Sequence, residues 1–504
     1  MSAVGRARRG LRELISVARS SAPRLARIRR EARLLAALFL LFPVQLSWAQ
    51  SAPVSADRPW HALWEKRIEG DTNNFPASRF RPDPARTYSL PELIDLAETY
   101  NPETRFAWER ARAQAAALGI ARSDLYPTLA AIALAGVDRT EIFFGSRFFR
   151  QTVGDFQVAL DLNYTVFDFG ARRGRINAAQ ADALGANFAF NDAHRNVIYA
   201  VELAYYQLLN AIGQENAAEA SLSNAQAVQQ AAEERLDNGL ATLPDVLEAR
   251  SATAEAEYEL QAALGTEEIA RGHLATALGT SPIATIHVQP LKELHIPDSI
   301  GDTIEPAIDR AFAQRPDLLQ QIAEIRSQDA RVKEARAAYY PSLNFEVGPA
   351  LQSLYGLQQT LPWAHTAGLV GGLRFNLSWT VSDGGARRSR LAQAQANLQA
   401  ANAQVNVTRD QIADQVWTAY ANLYTAFRQR RAATALLEAA SRSYDAALES
   451  YKYGLRNLLD VTAAQRTLAQ AQSTDVLART QVLSALADLA FRTGDSVQPN
   501  VARP

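Results

Sequence analysis

The chain has 504 residues, 48% of them hydrophobic and 21% charged, with 25 Gly, 21 Pro and no Cys. Those figures exclude a collagen-like, disulfide-stapled or wholly disordered chain, and the lack of Cys removes thiolate catalysis, zinc-thiolate sites and any Cys-linked lipid anchor. The formal net charge of -1 hides an asymmetry: residues 1–33 hold ten Arg against Glu13 and Glu31, leaving 42 basic and 51 acidic side chains beyond them, a balance that argues against a nucleic-acid partner.

The basic stretch leads into an unbroken apolar run from Leu34 to Val44, then Gln45-Leu46-Ser47-Trp48-Ala49, with small residues at -3 and -1 before Gln50. Residues 1–49 therefore read as a secretory signal peptide cleaved after Ala49, the run being too short to span about 30 Å of hydrocarbon as a helix. Residues 50–86, with Trp60, Trp64 and several Pro, read as an extended arm. No later stretch has the length and apolarity of a transmembrane helix, so any membrane contact of the mature chain must be made by β-strands.

From residue 87 the chain is written twice. Asn101-Pro102 recurs as Arg315-Pro316 and Tyr126-Pro127 as Tyr340-Pro341, each 214 residues on. Asp168-Phe169-Gly170-Ala171-Arg172-Arg173 recurs as Asp383-Gly384-Gly385-Ala386-Arg387-Arg388, and Gly239-Leu240, Asp245-Val246 and Gly279 recur as Gly454-Leu455, Asp460-Val461 and Gly494, all 215 on. Two repeats of this length are a duplicated domain, 87–280 and 303–494, with a Pro-bearing linker at 281–302 and a tail at 495–504.

Each repeat has one internal order. A helix over 89–124, or 303–338, stops before Tyr-Pro, because a residue preceding Pro is pushed out of the helical region. Two period-two segments follow, Leu129 to Val137 and Phe156 to Val166 in the first repeat, Leu343 to Leu351 and Leu373 to Val381 in the second, paired as hairpins through loops at 141–151 and 355–366. Phe156, Val158, Leu160, Leu162, Tyr164 and Val166 alternate with Asp155, Gln157, Ala159, Asp161, Asn163 and Thr165. In the second repeat Leu373, Phe375, Leu377, Trp379 and Val381 alternate with Arg374, Asn376, Ser378, Thr380 and Ser382, so one face is oily and the other wet. A Pro-free helix then runs from Gly170 to Leu236, or Gly385 to Tyr453, roughly 100 Å at about 1.5 Å per residue. Turns at Asp237 to Thr242 and Gly454 to Asn457 reverse the chain into second helices over 245–278 and 460–493.

Four strands cannot close a barrel, which starts at about eight, and an open sheet in lipid leaves backbone groups unpaired at several kcal/mol each. Several chains must share one barrel if these strands meet a bilayer, with the aliphatic and aromatic set facing lipid and Asp155, Gln157, Asp161, Asn163, Arg374, Asn376 and Ser378 lining a wet lumen. A soluble helical scaffold with a half-buried sheet has the same alternation.

The ordered set of Tyr-Pro-x-Leu, Val-Phe-Asp-Phe-Gly-Ala-Arg-Arg or Val-Ser-Asp-Gly-Gly-Ala-Arg-Arg, and Gly-Leu-x-x-x-x-Asp-Val, present twice, resembles the TolC-type family of outer-membrane efflux and secretion channels. The resemblance implies a mainly helical fold with membrane β, a homotrimer whose twelve strands form one barrel continued by a long helical coiled-coil tunnel through the periplasm. It also implies no cofactor and no catalysis, with outer-membrane lipid, a periplasmic adaptor of the membrane fusion type and an inner-membrane RND or ABC transporter as partners, exporting drugs, small molecules or proteins. The alternative is a periplasmic helical scaffold or adaptor without a membrane barrel. An enzyme is disfavoured: His61, His194, His273, His287, His295 and His365 are scattered, and metal-ligand, phosphate-loop and nucleophile-elbow spacings are missing.

Residue roles follow the same resemblance. Tyr451, Arg456 and Asp245 map onto positions that hold the pore closed, and Asp460 onto a constricting acidic ring whose second member is replaced by Ala463. Gly239, Leu240, Gly454 and Leu455 map onto the adaptor-facing tips. On physical grounds Pro127 and Pro341 end a helix and admit a strand, Gly170 and Gly384-Gly385 allow the exit from strand to helix, and Asp168 and Asp383 can cap the helix that follows, with Phe169 standing where the family has Gly. Both glycine-leucine tips also suit simple helix C-caps, and Asp245 and Asp460 suit the first turns of helices.

Overall fold

The computed structural model describes residues 81–495 apart from 295, 298, 300–302 and 359–362, so the signal peptide and nearly all of the arm and tail lie outside the described residues. The first repeat runs β1 (Thr87–Tyr88), α1 (Leu90–Tyr100), α2 (Pro102–Ser123), β2 (Thr128–Phe144), β3 (Arg147–Phe167), α3 (Ala171–Asp237) and α4 (Leu243–Ala277). After β4 (His287–Val288), the second runs α5 (Ile304–Gln314), α6 (Pro316–Ala337), β5 (Ser342–Gln358), β6 (Ala364–Ser378), α7 (Ala386–Lys452) and α8 (Leu458–Thr493).

Three expectations need correction. The single helix at the start of each repeat is two, broken at Asn101 and Arg315, since each precedes a Pro that opens the next helix at its first position. Asn101 uses the break: its Oδ1 accepts from Glu103 N at 2.7 Å and its Nδ2 donates to the Ala277 carbonyl at 2.7 Å, tying the corner to the end of α4. The hairpin loops are also far shorter than 141–151 and 355–366. In the first hairpin pairing continues to Phe144↔Arg147 around Gly145-Ser146, and Gly145 has the positive φ of 64° that a tight turn needs. Finally, β6 ends at Ser378, leaving Trp379 and Val381 beyond it. The two-residue strands β1 and β4, paired in parallel through Thr87↔His287 and Tyr88↔Val288, carry too little pattern to be read from sequence.

β2, β3, β5 and β6 form one antiparallel sheet in that order, so β2 and β6 are its edges. They are 17, 21, 17 and 15 residues long, against about 9–11 for a tilted strand to cross a bilayer. Register sorts the faces. Leu129 lies opposite Leu162, Leu162 opposite Val347 and Val347 opposite Leu373, whereas Thr128, Asn163, Glu346 and Arg374 share the other side. The apolar side is open, Leu129, Val137, Leu369 and Leu377 each being at least 68% exposed. On the wet side Arg374 pairs with Glu346 at 3.7 Å and Gln352 Nε2 donates to Asp155 at 3.1 Å.

Below the sheet, α3 and α7 are each 67 residues, about 100 Å. Their Ala-rich faces pack closely. A Cβ on Gly174 of α3 would lie 2.8 Å from the Glu334 amide nitrogen of α6, so this crossing admits no side chain. One buried cluster, around Leu93, Tyr205, Leu208, Leu274 and Ile286, sits where β1, α1, α3 and α4 meet; a second, around Val228, Val246, Tyr444, Tyr451 and Val461, sits at the far ends of the long helices.

Among the described residues, the largely buried carboxyl of Glu202 has no charged partner. Glu202 of α3 has an Oε2 shielded from solvent and without a hydrogen-bond partner among the described residues, and burial pushes its pKa up to about 7 from 4.5. The folded protein thus keeps a proton that the unfolded chain releases, so the contribution of Glu202 to stability falls as pH rises from about 4.5 to about 7 and is level above, by roughly 3 kcal/mol in all. Glu202→Gln is expected to raise the melting temperature at pH 8 while leaving it nearly unchanged at pH 5; equal shifts at both pH values would count against a buried, protonated Glu202.

Candidate functional site

Each strand-to-helix junction is built alike. Asp168 Oδ1 accepts from Gly170 N at 3.2 Å while Oδ2 takes Arg172 N at 2.8 Å and Arg172 Nε at 3.0 Å. Asp383 does the same with Gly385 N, Arg387 N and Arg387 Nε. From three residues before α3 and α7 begin, the carboxylates take the amide of the cap glycine and that of the second helical residue, with Gly170 at φ 94° and Gly385 at φ 90° making the bend. Arg172 and Arg387 are thereby structural partners of these acids. Phe169 occupies the left-handed region at φ 51°, where the second repeat has Gly384 at φ 66°. Its ring stacks on Tyr340, 4.9 Å between centroids and 15° apart, offsetting the strain with contact to the residue before Pro341.

At the opposite ends of the long helices the chain reverses twice. Leu240 N bonds the Arg235 carbonyl at 2.7 Å and Gly239 N the Leu236 carbonyl at 2.8 Å; Leu455 and Gly454 repeat this with Ser450 and Tyr451 at 2.8 and 2.9 Å. These are paired C-cap bonds that need a left-handed residue, supplied by Gly239 at φ 70° and Gly454 at φ 74°. They leave Leu240 and Leu455 exposed on the two tips.

Asp245 closes a capping box, its Oδ2 accepting from Thr242 N at 2.8 Å and Thr242 Oγ1 at 2.7 Å. The hydroxyl bond first, then the amide bond and the Arg235 charge, hold its carboxyl below the usual range. Tyr451 is buried between the hairpins, and its hydroxyl has no hydrogen-bond partner among the described residues. Burial raises its pKa, with the Asp245 charge adding to this and the Arg235 charge opposing it.

At the tips the two hairpins are joined by Arg235, in the last turn of α3, while further along Tyr444 Oη donates to the Asn224 carbonyl at 3.4 Å. Arg235 Nη1 donates to the Tyr451 carbonyl at 2.6 Å and Nη2 to the Leu240 carbonyl at 3.2 Å, and its guanidinium lies 4.7 Å from the centre of the Tyr451 ring. Sequence reasoning missed it because a basic residue in a last turn reads as an ordinary partner of the helix dipole. Asp245, Tyr451 and Arg235 thus come together. Arg456 is exposed, with no partner among the described residues, and Asp460 is held through its backbone, its amide donating to Asn457 Oδ1 at 2.9 Å at the start of α8. Among the described residues no group of His, Asp and Glu is placed to hold a metal, and no described helix is long and apolar enough to cross a membrane.

Comparison with known proteins agrees with this architecture. The chain is 29% identical over 406 residues to protein CyaE of Bordetella pertussis, covering 79% of this chain and 83% of that one. It is 25% identical over 343 residues to the outer membrane efflux protein BepC of Brucella suis biovar 1, covering 67% and 72%. Its fold superposes on the outer-membrane channel OprN with a TM-score of 0.72 at 21% identity, over 84% of this chain and 98% of that one. The model of the family described as outer membrane efflux protein matches residues 93–280 and 307–495 separately, one match per repeat, and the chain belongs to that family.

Proposed function

We propose that three copies of this chain close a twelve-stranded barrel in the outer membrane and form a passive duct, continued through the periplasm by the long helices, for a tripartite export system. Membership of an outer membrane efflux family makes the protein an outer-membrane efflux or secretion channel rather than a periplasmic scaffold. The observation carrying the trimeric reading is the sheet: four strands, two unpaired edges and one continuous apolar face. In lipid such a sheet is stable only when its edges are paired by other chains. Conduction through a lumen needs no catalytic group, and we assign none.

The helical tips form the periplasmic end of the duct. There Arg235 latches the two hairpins of one protomer, Arg456 and Asp460 face the neighbouring protomers and the axis, and Leu240 and Leu455 present the surface for the adaptor. The adaptor in turn couples the duct to an inner-membrane transporter.

Detergent-purified protein is expected to run as a heat-modifiable trimer and to conduct ions in planar bilayers with a preference for cations, since Asp138, Asp155, Asp161 and Glu346 outnumber Arg147 and Arg374 on the face of the sheet that carries Asn163. A protein released from envelopes by carbonate as a monomer would overturn the reading.

A further inference from the structure

The duplication specifies how neighbouring copies join. The two hairpins share one register: Thr128↔Asn163, Leu129↔Leu162 and Ala135↔Phe156 become Ser342↔Ser378, Leu343↔Leu377 and Pro349↔Gly371 when the first strand is advanced by 214 residues and the second by 215. These are the offsets already present in the sequence motifs. In a closed ring, the contact equivalent to β3 against β5 is β6 against β2 of the next copy. Applying the same offsets turns Leu162↔Val347, Val158↔Leu351, Ala159↔Ala350 and Gln157↔Gln352 into Leu377 opposite the partner's Ala133, Leu373 opposite the partner's Val137, Arg374 opposite the partner's Gly136 and Gly372 opposite the partner's Asp138. We propose this pairing as the seam between copies, an inference that rests on the trimeric reading above.

Two independent features fit it. The first is face: β6 and β2 residues so paired both point to lipid or both to the lumen, whereas a slip by one residue would turn Leu373, Phe375 and Leu377 against the wet face of the neighbour. The second is size. Continuing the ladder sets Phe375 and Trp379 against the partner's Ala135 and the partner's Ala131, and Gly371 and Gly368 against the partner's Arg139 and the partner's Ile142. Large residues on one edge meet small ones on the other. A slip of two residues one way stacks Gly372 on the partner's Gly136 and sets Arg374 against the partner's Leu134. The opposite slip sets Phe375 against the partner's Val137 and Leu373 against the partner's Arg139.

The seam also accounts for the early end of β6. Its counterpart β3 continues through Tyr164 to Phe167 because β5 is there to pair with it, while the equivalent Trp379 to Ser382 awaits the neighbouring β2. On the lumenal side, Arg374, already 3.7 Å from Glu346, gains the partner's Asp138 on the diagonal, about 7–8 Å away and within reach of a long side chain.

The natural absence of Cys gives a clean test. A full-length chain carrying Ala133→Cys and Leu377→Cys is expected to be converted by mild oxidation in the membrane into covalently linked dimers and trimers on denaturing gels. The two positions lie on opposite edges of a four-stranded sheet, so a bridge within one chain is out of reach. Pairing Leu377→Cys with Val137→Cys, four residues out of register, should link at no more than a few per cent of that yield. Preferential linkage of the displaced pair, or trimers that form but never link through the first pair, would overturn the register while leaving the trimer intact. Absence of trimers on native gels would instead overturn the trimeric reading.

Discussion

Arg235→Ala is expected to raise the conductance of reconstituted trimers and to shift their open-to-closed ratio about tenfold or more. The guanidinium donates two charge-assisted bonds from α3, to the Tyr451 and Leu240 carbonyls, and covers the Tyr451 ring. A hydrogen bond to a charged group is worth about 1.5–3 kcal/mol, and 1.4 kcal/mol is a factor of ten in an equilibrium. Of the two, the bond to the Tyr451 carbonyl crosses between the hairpins, and its loss with the ring contact weakens the hold of the first hairpin on the second. Arg235→Lys, which keeps the charge but not the fork, should fall between. On the proposed placement of Arg456 against a neighbouring copy, Arg456→Ala is expected to open the channel too; the side chain is exposed and has no partner within its own chain among the described residues. The double variant should then be roughly additive, the two residues acting across different interfaces. Conductance unchanged by Arg235→Ala in planar bilayers, with trimers intact, would remove Arg235 from the gate.

The sequence carried the large features because they repeat. Proline punctuation, period-two strands and a motif set found twice at nearly one spacing are local signals, and they placed both long helices to within two residues. The errors have physical causes. The breaks at Asn101 and Arg315 lay under helical periodicity on both sides, and only the pre-proline restriction marked them. The hairpins outran their apolar patterning because Asp138 to Arg150 pairs by backbone bonds after the alternation has given way to charge. At the tips, the resemblance supplied Tyr451, Asp245 and Arg456. It did not supply Arg235, whose importance is created by the approach of a carbonyl 216 residues away. Position along a helix is legible in sequence; what packs across from it is not.

Arg195→Ala is expected to be among the most destabilising single substitutions, at about 3–5 kcal/mol. Arg195 is 1% exposed on α3, donating to the Phe491 carbonyl at the end of α8 and to Asp192 Oδ1 at 3.3 Å, with its guanidinium 4.8 Å from the centre of the Phe491 ring. Next to it Arg315, at the break before α6, binds Asp317 at 2.6 Å and Gln415 of α7 at 2.9 Å, and Arg492 of α8 reaches the same Gln415 at 3.3 Å. The cluster therefore ties α3 of the first repeat to α6, α7 and α8 of the second. Its charges are strained by burial, which pulls the Arg195 pKa down and, with the Asp317 charge, pushes that of Asp192 up. Removing the guanidinium takes the charged donor from the half-buried Asp192, which keeps only the Asn196 amide at 3.1 Å, leaves the Phe491 carbonyl only the long bond from Gly494 N at 3.4 Å, and opens a void beside Phe491. Arg195→Met refills the volume but restores neither bond, so it should recover only the packing part of the loss. The urea midpoint and trypsin half-life of detergent-solubilised protein should fall in the order wild type, Arg195→Met, Arg195→Ala. Equal stability of all three would mean that the repeats are held together by helix packing alone and that this buried charge cluster contributes nothing.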